Sequence, residues 1–318
     1  MIQHILFPTD GSPLGEAAFP AAEILACAQG APVTVAEVVE PPTWWATDGG
    51  MAASLGNGDI YQQTMAALDK AARHHVDRVA ERFRLRGISV GTALLHGGAA
   101  AQLIECATEI GSDLVIMSTH GRTGLTRFAL GSVADRLVRE GTIPVFMVRA
   151  FGPKIERLER AVVPLDGSTV AEEVLPTVER LARSPLRGVL LLRTLDDGGP
   201  QEGAAAYLGS VKVRLEAAGL EVEAAIRHGH AAENIVTAAR EADFVIMTTH
   251  GRGGYDRLRH GSVAERCVRD LTAPLLLVRA VGGHTDESSS RTKRDAASWR
   301  RGHRTRAGIV EQPRRIDD

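Results

Sequence analysis

The chain has 318 residues, 44% hydrophobic and 24% charged, and 37 Lys plus Arg against 39 Asp plus Glu leave a net charge of −2. That length suits two domains rather than one small module, and that balance argues against a protein that coats nucleic acid by bulk electrostatics. No apolar run approaches the roughly 18 residues needed to cross a bilayer. Met1 to Pro8 lacks the basic and apolar stretches of a leader, and Cys27, Cys106 and Cys267 form neither a disulfide framework nor a zinc ribbon, so a reducing cytoplasm is the expected compartment.

In chain order, His4 to Phe7 reads as a short apolar strand and Ser12 to Ala28 as a helix opened by a Ser cap. Val33 to Val39 is a β-branched strand, and Pro41 to Asp59 is irregular and rich in Gly and Pro. Met65, Leu68, Ala72, Val76, Val79 and Phe83 then step by three and four along a helix that Gly87 ends from the C′ position. Ile88 to Leu95 is a strand, Ala99 to Ile110 a helix, Leu114 to Met117 a strand, Ser132 to Arg139 a helix and Val145 to Val148 a last strand. Alternating elements with continuous apolar strands predict a parallel sheet covered on both faces.

The pattern then repeats. Phe7-Pro8-Thr9-Asp10-Gly11-Ser12 returns as Val163-Pro164-Leu165-Asp166-Gly167-Ser168, the run Asp113 to Arg122 returns as Asp243 to Arg252, and Gly131-Ser132 returns as Gly261-Ser262. The first landmarks lie 156 residues apart and the last 130, so the second unit is shorter by 26. Its strands are expected near Ala161 to Val163, Val189 to Leu192, Glu221 to Ile226, Phe244 to Met247 and Leu275 to Val278. The expected division is one domain over 1–150, a linker over 151–157, a second domain over 158–280, and a basic tail over 281–318 whose composition predicts disorder.

In open α/β sheets ligands bind beyond the C-terminal strand ends. Three segments converge there: Pro8-Thr9-Asp10-Gly11, the loop starting Ser118-Thr119-His120-Gly121, and the helix start Gly131-Ser132. A helix N-terminus presents free N–H groups with partial positive charge, and a preceding Gly lets a phosphate come close. Asp10 is placed either to receive a ribose hydroxyl or to cap the following helix.

These residues carry a resemblance. Gly121, nine residues, then Gly131-Ser132, preceded by Val-Ile-Met-Ser-Thr-His and an opening strand ending Pro-Thr-Asp-Gly-Ser, resembles the universal stress proteins, and Gly251, nine residues, then Gly261-Ser262 repeats the match. The resemblance implies two tandem Rossmann-like domains, each a five-stranded parallel sheet in order 3-2-1-4-5 flanked by helices. It also implies pairing of the two units through their fifth strands, here Ile143 to Arg149 and Ala273 to Arg279, each opening at a Pro that lacks an N–H. The implied cofactor is ATP, alone or as Mg-ATP, bound in the first unit by Pro8, Thr9, Asp10, Val38, Met117, Ser118, His120, Gly121, Gly131, Ser132 and Val133. A weaker second set is Asp166, Met247, His250, Gly251, Gly261 and Ser262. The function implied is a nucleotide sensor in stress response. The alternative is a nucleotide-free module acting through protein partners.

Ser118 and Thr248 stand where the nucleotide-binding pattern has its first Gly. A position needing φ > 0 suits Ser poorly and the β-branched Thr worse, so the second unit is expected to bind less well. Thr194 in place of Val38 points the same way. His96 with His120, and His228 with His250, invite a metal reading, but the implied strand order keeps the histidines of one unit apart, and no metal is assigned. No P-loop, GxSxG elbow or GxGxxG fingerprint is present. The chain therefore reads as a binding protein rather than an enzyme, with slow ATP hydrolysis left open, as are a homodimer and protein partners. Trp44 and Trp45 are candidates for a lid over adenine, an anchor for a partner, or local packing at the sheet edge.

Overall fold

The computed structural model describes residues 1–41, 58–119, 131–196, 201–249 and 262–280. The expectations for Trp44, Trp45 and the tail over 281–318 lie outside the described residues, as do His120, Gly121, His250, Gly251 and Gly261.

In the first half, strands β1 (Ile5–Pro8), β2 (Val33–Val39), β3 (Val90–His96), β4 (Leu114–Ser118) and β5 (Val145–Val148) alternate with helices α1 (Phe19–Gln29), α2 (Gly58–Arg84), α3 (Ala99–Glu109) and α4 (Ser132–Glu140). The second half holds β6 (Arg160–Pro164), β7 (Gly188–Leu195), β8 (Glu221–His228), β9 (Phe244–Thr248) and β10 (Leu275–Val278). Its helices are α5 (Thr169–Glu172), α6 (Leu175–Leu181), α7 (Glu202–Ala217), α8 (Ala231–Ala238) and α9 (Ser262–Asp270).

All ten strands join in one sheet of order β3-β2-β1-β4-β5-β10-β9-β6-β7-β8. Each half keeps the order 3-2-1-4-5 with parallel neighbours, and the halves meet where β5 and β10 run antiparallel, Phe146 opposite Leu276. The side chains sort by the two-residue period of a strand. Phe7, Ile116, Phe146 and Leu276 face the layer of α1, α2, α6 and α7, while Leu6, Val115, Met147 and Leu277 face α3, α4, α8 and α9. Phe7, Phe19 and Phe83 pack edge-on or tilted at centroid separations of 4.4 to 6.4 Å, and Phe146 meets Phe244 at 5.6 Å across the junction.

One helix expectation is corrected. Ser12 to Ala28 is not a single helix: Gly15–Ala18 is a 3-10 turn, and the α-helix begins at Phe19. Pro20 is the cause. In a helix started at Ser12 it would sit in the interior, where it has no N–H to give Glu16 and its ring clashes with that carbonyl; at the second position of α1 it does no harm. The second unit repeats the break. Ser168 Oγ caps α5 by accepting from Ala171 N–H at 3.1 Å, and Pro176 sits at the second position of α6. Gly87 closes α2 as expected, with its N–H on Arg84 C=O at 2.8 Å and that of Ile88 on Phe83 C=O at 3.1 Å.

The length difference falls mostly in one place. Val33 and Val189 begin the same run 156 residues apart, but Gly87 and Gly219, and likewise His96 and His228, are 132 apart. The missing 24 residues lie in the connection after the second strand and the first turns of the helix that follows, so α2 has 27 residues and α7 has 16. The last two are lost between the third strand and the fourth, since Leu114 and Phe244 are 130 apart.

Candidate functional site at the strand ends of the first unit

The C-terminal ends of β1, β2 and β4 open into a cavity of about 410 Å³. Pro8, Thr9, Asp10, Val38, Met117, Ser118, Gly131, Ser132 and Val133 all line it, so every described residue of the first expected set meets at one place. Its lining adds Ala36, Val39, Leu68, Ala71, Ala72, Ala99 and Leu103, mostly small or aliphatic, together with the buried Glu37 and Thr119 and the exposed Glu40.

One end of the cavity is built for an anion. Gly131 is the N-cap of α4 and, having no side chain, makes no side-chain cap hydrogen bond to that helix. The N–H groups of its first turn therefore point outward without intrahelical partners, on the positive end of the helix dipole. Gly131 N–H bonds Thr119 C=O at 3.1 Å, and a Cβ on Gly131 would stand only 2.8 Å from that oxygen, so glycine alone lets the helix start this close to β4. Ser132 is exposed beside it. The N-terminus of α3 also borders the cavity, but there Ala99 N–H is taken by Glu40 Oε1 at 2.8 Å.

Asp10 is held by its own turn. Its Oδ1 accepts from Ser12 N–H at 3.0 Å and Ser12 Oγ at 2.7 Å, and Ser12 Oγ accepts from Gly15 N–H at 3.0 Å. This is an Asx turn rather than a cap on the first turn of an α-helix, and Asp10 lines the cavity from it. In the second unit Asp166 Oδ1 makes the same turn with Ser168 N–H at 2.9 Å and Ser168 Oγ at 2.6 Å.

The concern over Ser118 and Thr248 is also corrected. Both are the last residues of strands, Ser118 opposite Val148 and Thr248 opposite Val278. Arg183 is the sole non-glycine residue with positive φ among the described residues. Ser118 and Thr248 thus sit in extended backbone that any residue adopts, and the β-branched Thr suits it. The expected weakness of the second unit does not come from strain at Thr248.

The two units differ at other positions that line the first cavity or match its lining. Leu68 belongs to the part of α2 that precedes its shared length, and its counterpart Pro200 lies outside the described residues; Ala71 and Ala72 are matched by Gly203 and Ala204 in the first turn of α7. Val38 is matched by Thr194, whose Oγ1 accepts from Asn234 Nδ2 at 3.3 Å. Met247 is the next-to-last residue of the fourth strand of that unit as Met117 is in the first, and Ser262 opens α9 as Ser132 opens α4.

The two described histidines of the metal reading are edge residues with protein partners. His96 Nε2 meets Asp69 Oδ1 at 2.8 Å, and His228 meets Gln201 Nε2 at 2.8 Å and Asp196 C=O at 3.3 Å. Reading by motif missed Glu37, Glu40 and the wall from α2. Glu37 had a signal, since it is the one charged residue in the apolar run Val33–Val39 of a buried strand.

Fold and cavity together define a doubly wound α/β protein of two Rossmann-like units, with its ligand crevice at the switch between β1 and β4 in the first. The model of the universal stress protein family matches residues 1–149 and again 158–279, and the chain belongs to that family. Universal stress protein Slr1230 of Synechocystis is 26% identical over 305 residues, covering 87% of this chain and all of that one. Universal stress protein Rv2005c of Mycobacterium tuberculosis is 25% identical over 308 residues, covering 87% and 97%. Universal stress protein MJ0531 of Methanocaldococcus jannaschii is 30% identical over 149 residues, 47% of this chain and 83% of its own. Among solved structures, a universal stress protein from Archaeoglobus fulgidus superimposes with a TM-score of 0.66 at 20% identity, over 87% of this chain and 98% of that one. No described helix is long and apolar enough to cross a membrane.

Proposed function

We infer that the first unit binds an adenine nucleotide, ATP alone or with Mg²⁺, and that the protein acts as a nucleotide-responsive binding protein rather than as an enzyme. The observation that carries this reading is the uncapped N-terminus of α4 at Gly131-Ser132, opening into the same cavity as the apolar wall of Val38, Leu68 and Ala72. Phosphates suit the first, where backbone N–H groups and a helix dipole receive negative charge. A flat, weakly polar base suits the second, and Asp10 stands at the end of β1 between β2 and β4, where a ribose hydroxyl would find an acceptor. With Glu40 already on Ala99 N–H of α3, the N-terminus of α4 is the better place for the phosphate chain, which supports one direction for the nucleotide.

Calorimetry with ATP, together with analysis of the nucleotide released from the purified, denatured protein, tests the reading. Binding near one equivalent per chain is expected, with hydrolysis followed in the same samples. Absence of both bound and bindable nucleotide refutes it and leaves the interaction-module alternative.

A further inference from the structure

Glu37 is buried, its side chain 7% exposed, on the face of β2 that packs under α1 and α2. There His75 of α2 meets it, with Nδ1 3.3 Å from each carboxylate oxygen. The same imidazole presses on the backbone of Gly11, where an added Cβ would overlap its ring, and Gly11 holds φ at +73°. Gly11 lies in the turn that aims Asp10. A contact chain therefore runs from Glu37 through His75 and Gly11 to Asp10.

The second unit has the same arrangement in different chemistry. Arg193 occupies the place of Glu37 and Tyr207 that of His75, by the offsets of 156 and 132 found for their elements. The Arg193 guanidinium lies against Gly167, whose φ is +78°, and sits over the Tyr207 ring at 5.1 Å. A buried polar pair is by itself weak evidence for stability, since hydrophobic replacements often serve as well. What the two units share is a paired polar group backing the glycine of the Asp-Gly-Ser turn.

We propose that Glu37 and His75 are positioning residues that hold the Asp10 turn in its ligand-receiving conformation, and that Arg193 and Tyr207 do this for Asp166. The proposal rests on the nucleotide reading for its consequence in binding, but not for its effect on the turn. The charge of Glu37 fixes the imidazole, and the imidazole fixes Gly11.

The test uses the full chain with Glu37→Gln, which keeps volume and removes charge, and the exchange Glu37→Arg with His75→Tyr, which installs the second unit's pair. Amide hydrogen exchange is followed without nucleotide in peptides covering residues 10–15 and β5, and ATP affinity by calorimetry. In Glu37→Gln, exchange in the turn should rise and affinity fall by about tenfold each, as for loss of one charge-assisted hydrogen bond, with β5 unchanged. The exchange variant should recover both. Unchanged turn exchange in Glu37→Gln, or a rise shared equally by β5, overturns the proposal, as does a folded exchange variant that recovers neither. If the exchange variant does not fold, Glu37→Gln alone decides. If the wild type binds no ATP but its turn still loosens in Glu37→Gln, the nucleotide reading fails and the positioning role stands.

Discussion

Arg149 and Arg279 hold equivalent places after the fifth strand of each unit, and each reaches across the antiparallel junction to close the last helix of the other. Arg149 donates to the carbonyls of Val268, at 2.6 Å, and of Arg269 near the end of α9. Arg279 donates to those of Glu140 and Gly141 at 2.9 and 3.0 Å, at the end of α4. A cation at a helix C-terminus satisfies orphan carbonyls and opposes the negative end of the dipole. The expected fifth-strand pairing thus has a reciprocal clasp at its rim, and α4, whose start lines the cavity of the first unit, is held by the second unit at its other end.

The clasp predicts a stability effect with little effect on ligand. Arg149→Ala or Arg279→Ala should each lower unfolding free energy by about 1–2 kcal/mol, the range for hydrogen bonds to a charged group reduced for partial exposure. Chemical denaturation measures it. Values near zero for both would show that the strand pairing holds the halves without them.

Nucleotide binding should be asymmetric. Ser132→Glu places a carboxylate at the N-terminus of α4, where phosphate is expected, and like charges a few ångströms apart repel strongly in a partly dry site. Ser132 is exposed, so the change leaves the fold intact, whereas a side chain on Gly131 would strike Thr119 C=O and confuse folding with binding. Affinity should fall at least about tenfold in Ser132→Glu and stay nearly unchanged in Ser262→Glu. The reverse pattern, or two equal sites in the wild type, would reassign the site.

His4 predicts a pH dependence. Burial lowers its pKa below the ordinary imidazole value, with Asp113 opposing, and its Nε2 lies 2.8 Å from Thr34 Oγ1. The unfolded chain therefore takes up this proton more readily than the folded one, so stability rises with pH across the interval between the two pKa values. The contribution is complete above about pH 6.5 and is lost as pH falls through that value toward the lowered folded pKa. In His4→Gln, the drop in melting temperature between pH 7.5 and pH 5.5 should be smaller than in wild type. An equal drop would assign the acid sensitivity elsewhere.

Thiol reactivity should single out one cysteine. Burial pushes the Cys106 thiol up to about 11 and that of Cys267 up to about 12, while Cys27 is exposed, with a smaller upward shift from the same cause. A disulfide reagent at pH 8 should modify Cys27 in the native protein and the other two only on unfolding. Modification of all three at one rate would mean that α3 and α9 open together on that timescale.

Much of this molecule was legible in the residue order. Internal repetition, the continuous apolar strands and the Gly131-Ser132 helix start are local patterns, so they set the two units, the element types and the helix start that lines the cavity before any coordinates. Pro20 was legible in principle, although the reading of Ser12 to Ala28 as a single helix passed over it: its missing N–H ends that helix on local grounds. The tertiary structure decided the rest, because it depends on contacts between residues distant in sequence. Only packing shows that Ser118 and Thr248 lie in extended strand ends, where the absent glycine brings no backbone strain. Only packing brings Glu37 of β2 and His75 of α2 onto the Asp10 turn, or carries Arg149 and Arg279 across 119 to 139 positions of chain to the opposite helix ends. Periodicity states which face of a strand or helix is buried, whereas the partner met on that face is set by how the layers close.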